Sequence, residues 1–468
     1  MAEAGQLARR LANFRRADPG RGTAGATHVT AGRDRSQELV ERLVTALDAE
    51  AVTTPLGTVV RIEGPARAMA IDRDALAGLP GQPPAHVPLI CLDTETTGLA
   101  TAAGTLAFLV GLGWWEGQRF RQVQLLLPDP PEEPALLELL ASVIPPHAWL
   151  VTYNGRGFDW PLLVARYRMA RRDAPLHAGH LDLLGIVRRL FRHRMTDARL
   201  RTVEEALLGI GRIDDVAGWE IPGRYLAFLR GGGAAPLIPV VEHNDRDVRS
   251  LARLLCHVAD ELGDESRRRT APDGDLLGLA RAFRGEGRLG EAMTCLDLAV
   301  SRLPSAGHRP RSSRAGPSAS WLVDRSDGIA SAIAQLSEAR AARIIRDQLA
   351  RERARLLRQL GRVAEARVAW QELAARNGPL SAIAWVELAK VLEHVERNFA
   401  GALHAVASAE RLAEQSARIG TPLPMLQADL VRRRSRLERR RAADEASVGP
   451  LVPAPTLREA LSHAVAHG

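Results

Sequence analysis

The chain has 468 residues, a length typical of about two to four domains, and 46% of them are hydrophobic and 25% charged, as in a soluble globular protein. Its three cysteines form no CxxC pair, so the sequence indicates neither a zinc site nor a disulfide framework and fits a reducing cytoplasm. No apolar run is long enough to predict a signal peptide or a membrane-spanning helix.

The formal net charge is +8, the sequence pI is about 10.4, and nearly all of the positive charge is arginine. Arginine suits planar, bidentate contacts with phosphate, which makes the composition compatible with a nucleic-acid partner. A GC-rich genome that encodes arginine in place of lysine explains the same composition equally well. The charge therefore permits nucleic-acid binding without demonstrating it.

The N-terminal region, residues 1–82, predicts a basic and partly disordered segment with little regular structure. Residues 1–35 are rich in Arg, Gly and Ala and read as a flexible arm. Residues 36–49 have helical spacing of leucine and valine, and Ser36 is the candidate N-cap. Residues 52–72 alternate enough to predict a small β element.

Residues 83–262 predict an α/β domain in which hairpin-linked strands come first and βα alternation follows. The predicted strands are 87–93, 106–115, 120–127, 149–152 and 180–184. The predicted helices are 134–144, 160–170, 200–208, 222–229 and 236–262. This order indicates a mixed sheet with helices packed on its faces.

Residues 263–448 contain no strand signal and are dominated by Ala, Leu, Arg and Glu. A short pattern of a Gly or Asn turn followed by small residues occurs three times, at 287–292, 361–366 and 398–402. The spacing fits a unit of about 34 residues and resembles degenerate tetratricopeptide repeats. Residues 305–320 read as a disordered loop, and residues 449–468 as a flexible tail.

Two acids, Asp93 and Glu95, end the apolar run that forms the first strand of the α/β domain. Positions i and i+2 of a strand point to the same face, so the two side chains project together. Like charges placed side by side at a buried strand are costly unless a cation lies between them. The pattern therefore predicts a divalent metal held by oxygen ligands.

Two later segments supply further candidate ligands. Asp159 follows a glycine-rich loop at the start of a helix, where the alternative interpretation is a plain N-cap. His243 and Asp247 are four residues apart on a helix and share one face, where the alternative is a solvated charge pair.

Taken together, these segments resemble a known family pattern. Asp93-x-Glu95, Asn154 with Asp159, and His243-x-x-x-Asp247 resemble the three exonuclease motifs of the DEDD nucleases on the RNase H-like fold. More narrowly, the segments 180–184, 214–222 and 243–251, together with Tyr225, look like the YprB-type RNase H-like family, which often carries C-terminal tetratricopeptide-like helices. This resemblance covers residues 85–258.

The resemblance implies an α/β RNase H-like domain, with three antiparallel strands, then parallel βα units and helices on both faces, followed by an all-α helical-repeat domain. It implies a metal-dependent 3′→5′ exonuclease that hydrolyses phosphodiester bonds of DNA or RNA with two Mg²⁺ or Mn²⁺ ions. Its metal ligands would be four acids, and its substrate contacts two polar residues. These residues are Asp93, Glu95, Asp159 and Asp247 for the metals and Thr96 and Asn154 for the substrate.

The general base is the position at which this chain departs from the family pattern. Three residues separate His243 from the last acid, Asp247, a spacing at which the family usually has tyrosine, whereas a histidine base usually has four intervening residues. His243 is the first candidate for the base because histidine exchanges protons near neutral pH. Tyr225 and Asp245 remain alternatives.

Other functions remain open from the sequence. The same fold also supports endonucleases, because a fold does not determine the mode of cutting. An adaptor is the alternative from another class, in which the helical repeats recruit a protein partner and the nuclease domain is weak or only binds nucleic acid. In every version we expect a cytoplasmic protein without a membrane partner.

Overall fold

The computed structural model describes residues 27–98, 104–213, 215–302 and 325–447. The predicted loop at 305–320 and tail at 449–468, and residues 1–26 of the predicted basic arm, lie outside these ranges. The chain divides into two compact units between Ala282 and Phe283.

This division falls later than the boundary predicted near residue 263. Residues just after 263 are tied to the first unit by side-chain bonds. Arg267 pairs with Asp72 at 2.8 Å, and the guanidinium of Arg194 pairs with Asp275, whose side chain is fully buried.

The first unit is organised around one mixed sheet of eight strands. The strands are β1 (Glu50–Thr54), β2 (Gly57–Glu63), β3 (Arg67–Ala68), β4 (Leu89–Thr96), β5 (Ala107–Glu116), β6 (Arg119–Leu126), β7 (Trp149–Thr152) and β8 (Gly179–Asp182). Their order is β1-β2-β6-β5-β4-β7-β8, and β3 also pairs with β6. Strands β4, β5 and β6 are antiparallel, while β7 and β8 are parallel additions beside β4. The predicted mixed sheet is confirmed.

The helices of the first unit are α1 (Thr27–Leu47), α2 (Arg73–Ala77), α3 (Glu133–Val143), α4 (Asp159–Met169), α5 (Leu183–Leu190), α6 (Leu200–Val203), α7 (Ile221–Leu229), α8 (Ile238–Leu262) and α9 (Glu265–Arg268). Helices α1, α3, α7 and α8 make the main contacts with the sheet, whereas α2 and α9 pack against α8. The apolar positions of α8 recur every three or four residues, and Val241, Val248 and Leu251 are buried. The small β element predicted at 52–72 belongs to the same sheet, because β2 pairs with β6.

Ser36 does not cap a helix, so that prediction was wrong. Helix α1 begins at Thr27, which places Ser36 in its interior. The Ser36 hydroxyl instead donates a 2.7 Å hydrogen bond to Glu132, far along the chain. The serine that looked like a local helix cap instead makes a tertiary contact.

The second unit is all-helical within the residues described. It begins within α10 (Asp273–Gly285), at Phe283. The helices that follow are α11 (Leu289–Ser301), α12 (Arg325–Gln359), α13 (Val363–Ala375), α14 (Ser381–His394), α15 (Phe399–Arg418) and α16 (Pro424–Ser447). Consecutive helices from α11 to α16 pack against each other. Across all described residues, no helix is both long and apolar enough to cross a membrane.

Candidate functional site

Strand β4 carries the first two acids within its length. The sequence placed the end of the strand at residue 93, but pairing with β5 continues through Glu95, and the register shifts only between Glu95 and Thr96. Asp93 and Glu95 therefore lie on one face of a fully paired strand. Apolar residues before them, such as Cys91 and Leu92, are buried and hold this part of the strand in the core.

A glycine in the neighbouring strand lets helix α8 approach these acids. Gly111 lies opposite Asp93 in the register of β4 and β5. A Cβ atom on Gly111 would lie 2.2 Å from Oδ1 of Asn244 and 2.7 Å from Cγ2 of Val248. Only glycine permits this contact, so position 111 determines how closely α8 can present its polar residues to β4.

Asn244 joins α8 to the strand by hydrogen bonds. Its Nδ2 donates to Oδ2 of Asp93 at 2.8 Å, and its Oδ1 accepts from Gln124 at 2.9 Å. Asn244 is fully buried among apolar positions of α8. No role for Asn244 was predicted from the sequence, although a polar residue within the apolar stripe of a helix can indicate a buried hydrogen bond.

Asp159 is the first residue of α4 and is buried. Phe158 holds the N-cap position, so Asp159 is not the cap that the alternative interpretation proposed. Its Oδ1 accepts a 2.6 Å hydrogen bond from the hydroxyl of Thr94, which lies between the two acids of β4. This bond brings Asp159 to the same strand as Asp93 and Glu95.

His243 and Asp247 lie together on α8, as their spacing predicted. Nε2 of His243 is 3.7 Å from Oδ2 of Asp247 and 4.0 Å from Oε1 of Glu95. The four acids that the sequence singled out, Asp93, Glu95, Asp159 and Asp247, lie near enough for their charges to act on one another, and we call them the acid cluster.

Burial and mutual repulsion perturb the first pair of the acid cluster. Burial raises the pKa of Asp93 well above its ordinary value, and the charges of Asp247, Glu95 and Asp159 raise it further. Burial also raises the pKa of Glu95, with additional repulsion from Asp247 and Asp159. Both carboxylates are therefore costly to ionise in the absence of a cation.

The second pair of acids is affected in the same direction. Burial raises the pKa of Asp159 to about 6, although the hydrogen bond from Thr94 opposes this change. Burial also raises the pKa of Asp247, although His243 and Arg212 partly offset it. A cation that entered the cluster would favour the charged form of all four acids.

Arg212 and Asp215 complete the surroundings of the acid cluster, and neither had a role predicted from the sequence. Nη2 of Arg212 lies 2.5 Å from Oδ1 of Asp247, and its Nη1 lies 2.9 Å from Oδ2 of Asp215. Arg212 also makes two hydrogen bonds, at 2.5 and 2.7 Å, with the buried carboxylate of Glu204. Oδ1 of Asp215 lies 2.8 Å from Nδ1 of His243.

The remaining predicted residues are placed differently. The Thr96 hydroxyl donates to the carbonyl of Gly98 at 2.6 Å, which closes its own loop. Asn154 is exposed, has a φ of 65°, and its backbone N–H donates to Asp182 at 2.8 Å. Both residues thus shape loops, and their predicted substrate contacts stay predictions.

The alternative bases receive no support from their positions. Tyr225 is buried, stacks on Phe108 at 4.1 Å, and donates its hydroxyl to the carbonyl of Leu127. Asp245 forms an ion pair with Arg249 one turn further along α8. Of the three candidates, His243 has a ring nitrogen within 4.0 Å of two acids of the cluster.

The donor set of the acid cluster fits a divalent metal by its chemistry. Carboxylate oxygens are the ligands that Mg²⁺ and Mn²⁺ prefer. Within the described ranges, no three His, Cys, Asp or Glu side chains already stand in an arrangement that holds an ion. Three of the carboxylates already accept hydrogen bonds from protein groups: Asp93 from Asn244, Asp159 from Thr94 and Asp247 from Arg212.

Comparison with known proteins places this site in a family context. Residues 90–259 match the RNase_H_2 family model, which is described as RNase_H superfamily. A protein of Bacillus subtilis (strain 168) named "Uncharacterized protein YprB" is 39% identical over 180 residues, which are 38% of this chain and 43% of that protein. The match thus spans less than half the length of this relative. Together with the mixed sheet, the match to the family model shows that residues 90–259 have an RNase H-like fold.

Proposed function

We propose that the chain is a metal-dependent 3′→5′ exonuclease that hydrolyses phosphodiester bonds of DNA or RNA. The observation that carries the proposal is the convergence of His243 with four acids, the buried Asp159 and three partly buried carboxylates, in an RNase H-like domain. Such a concentration of carboxylates with raised pKa values has no structural benefit of its own, and it is typical of sites that bind a cation and substrate.

Each side chain has a defined part in this proposal. Two Mg²⁺ or Mn²⁺ ions would supply charge neutralisation at the phosphate and an activated water. The acid cluster would hold the ions, with Asn244 orienting Asp93 and Thr94 orienting Asp159. Nε2 of His243, which faces the acids, would accept the proton of the attacking water.

The direct test is Asp93→Asn, which removes one charge and keeps the shape of the side chain. With Mn²⁺, the wild-type chain should shorten a 5′-labelled single strand from its free 3′ end, and a 3′-blocked strand should resist. Asp93→Asn should reduce the rate at least ~10²-fold, as expected when a main electrostatic element of a site is lost. The control is Asp74→Asn, which changes an exposed acid in α2.

Two outcomes would contradict the exonuclease. Equal rates for wild type and Asp93→Asn would show that the acid cluster does not hydrolyse the strand. Cleavage of the 3′-blocked strand would indicate an endonuclease instead. Binding of nucleic acid without hydrolysis by the wild-type chain would favour the adaptor.

We further propose that the second unit consists of tetratricopeptide-like repeats that present a surface to a protein partner. The three predicted turns have matching backbones, since Gly287, Gly361 and Arg397 have φ values of 76°, 76° and 52°. In the first two turns the next residue, Arg288 or Arg362, pairs with a glutamate three positions later.

Arg397 occupies a left-handed position that the other two copies fill with glycine. Arg397→Gly should therefore stabilise the chain by about 1 kcal/mol, and Gly361→Ala should destabilise it by a similar amount. Chemical denaturation of the full chain measures both. If both substitutions have the same sign, the three turns are not equivalent and the repeat proposal fails.

A further inference from the structure

We propose that Asp215 is the positioning residue of His243: it fixes the ring so that Nε2 faces the acid cluster. This inference rests on the proposed nuclease function, because His243 is the base in that proposal. Asp215 itself is assigned as a residue that acts through His243 and not as a group that touches substrate.

The geometry around the ring supports this role. Nδ1 of His243 lies 2.8 Å from Oδ1 of Asp215, and the opposite nitrogen, Nε2, lies 3.7 Å from Asp247 and 4.0 Å from Glu95. One side of the imidazole is thus hydrogen-bonded and the other is directed at the acids. The side chains of His243 and Asp215 are 16% and 8% exposed, so little water competes for the Nδ1 bond.

The state of Asp215 determines which ring nitrogen carries hydrogen. Although burial alone would raise the pKa of Asp215, its hydrogen bonds with His243 and Arg212 lower the pKa below the ordinary value. Asp215 is therefore ionised at neutral pH and only accepts hydrogen bonds. The hydrogen of a neutral His243 ring must then reside on Nδ1, which leaves the lone pair of Nε2 directed toward the acids.

Asp215 is itself held in place by two arginines. Nη1 of Arg212 binds its Oδ2 at 2.9 Å, and Nη1 of Arg246 lies 3.3 Å from its Oδ1. Arg212 is anchored in turn by two hydrogen bonds to Glu204, whose side chain is 1% exposed. A carboxylate fixed at both oxygens can orient a ring, because its own rotamer is not free to change.

Arg212 also links this arrangement to the acid cluster, since its Nη2 binds Asp247 at 2.5 Å. Asp215, which binds the candidate base, and Asp247, a predicted metal ligand, therefore share one guanidinium. This arrangement places Asp215 in a series of contacts that runs from a buried glutamate to the candidate base, Glu204–Arg212–Asp215–His243. The segment that carries Arg212 and Asp215 thus contributes to the site as well as connecting two helices.

A readout that does not depend on activity tests the tautomer directly. Nitrogen-15 NMR of the histidine rings distinguishes Nδ1–H from Nε2–H, and the His243→Gln spectrum identifies the His243 signals among the 13 histidines. At a pH where the ring is neutral, wild type should show the Nδ1–H form, and Asp215→Ala should lose it. A predominant Nε2–H form in wild type overturns the inference, whatever the nuclease assay shows.

A double-mutant cycle then tests whether Asp215 acts through His243. Asp215→Ala should lower kcat by about 10²-fold with little change in KM, within the range expected for loss of a general base. In a His243→Ala background the same substitution should cost less than about 3-fold, because the residue it positions is absent. Equal losses in both backgrounds would show a merely structural role.

Two further variants guard against trivial outcomes. Asp215→Asn keeps an oxygen that accepts from Nδ1 and should recover activity relative to Asp215→Ala. If Asp215→Ala does not fold, Asp215→Leu, which has a similar shape and no hydrogen-bond acceptor, takes its place in the cycle. Glu220→Gln, which removes the ion pair with Arg224 shortly after Asp215 in the chain, is the matched control. Asp93→Asn measured in parallel separates the two proposals, because a wild-type activity that Asp93 does not affect contradicts the nuclease and not the tautomer.

Discussion

Two acidic sites, one in each unit, have opposite balances of charge. In the first unit, the acid cluster of four carboxylates has close pairs with one guanidinium, Arg212, and one imidazole, His243. In the second unit, the carboxylate of Glu393, with a side chain that is 0% exposed, pairs with three arginines. Their nitrogens lie 3.5 Å (Arg433), 2.8 Å (Arg436) and 3.1 Å (Arg440) from its oxygens.

The pKa directions of the two sites reflect this difference. Burial would raise the pKa of Glu393, but its hydrogen bonds and charge interactions with Arg436, and the nearby His394 and Arg440, lower it below its ordinary value. The four acids of the cluster all have raised pKa values. Burial alone therefore does not mark an acid as functional. An acid whose charge is already compensated stabilises the fold, whereas an uncompensated group of acids costs stability and favours a cation.

The largest expected effect is on Glu393. Glu393→Gln should destabilise the chain by about 3 kcal/mol, because removing one partner of a buried ion pair leaves the other charges uncompensated. Arg433 makes this cost substantial, since its side chain is only 8% exposed. Chemical denaturation of the full chain at pH 7.5 measures the change. A neutral or stabilising result would break the comparison, because Glu393 would then behave like an uncompensated acid.

In metal-free buffer, Asp159→Asn should stabilise the chain, which is the opposite of the effect expected for Glu393→Gln. The folded-state pKa of Asp159 is about 6 against an ordinary value of 3.8, so between these values the folded chain binds more protons than the unfolded chain. Stability therefore falls as pH rises through this interval, and the full cost is present above pH 6. Asparagine cannot ionise, so it should stabilise the chain at pH 7.5 by on the order of 3 kcal/mol.

The pH dependence supplies the control for Asp159→Asn. At pH 4 the carboxyl group is protonated in the folded state and close to half-protonated in the unfolded state, so the stabilities of the two variants should differ by less than about 1 kcal/mol. A gain that is the same at pH 4 and pH 7.5 would mean that packing, and not charge, explains the substitution. Chelator must be present throughout, because a bound cation would mask the repulsion.

Binding of a divalent metal should stabilise the first unit, by a somewhat smaller amount than the substitutions above change stability. If Mn²⁺ binds the acid cluster of the folded chain alone, an excess of about 100 times its Kd should stabilise by about 2.7 kcal/mol. Asp93→Asn should reduce this gain in stability. Glu393→Gln should retain it, because Glu393 is paired with arginines and is not part of the acid cluster. Calorimetry with and without Mn²⁺ measures both, and an equal gain in both variants would indicate that the ion binds elsewhere.

The sequence revealed the acids more readily than it revealed what surrounds them. Asp93 with Glu95, and His243 with Asp247, are close in the chain, so strand and helix periods were enough to predict which pairs share a face. The fold class followed from the order of strand and helix signals, and the sheet confirms it. Asp159 needed the family resemblance, because a single acid after a glycine-rich loop also fits a helix cap.

Arg212 and Asp215 could not be predicted in the same way. Asp215 lies in an irregular segment without hydrophobic periodicity, and its partner His243 is 28 residues away. Arg212 meets Asp247 across 35 residues. Such contacts depend on how the segment folds back over α8, which no local period encodes. Asp214, the neighbour of Asp215, lies outside the described residues.

The smallest expected effect tests whether the cations around Glu393 are redundant. Arg440 is 46% exposed, and Glu393 keeps Arg433 and Arg436 when it is removed. Arg440→Met should therefore destabilise the chain by less than about 1 kcal/mol, as is usual for an exposed ion pair. A cost equal to that of Glu393→Gln would show that compensation of Glu393 depends on each cation. Glu393 would then need every arginine around it, and an excess of cations would no longer distinguish its site from the acid cluster.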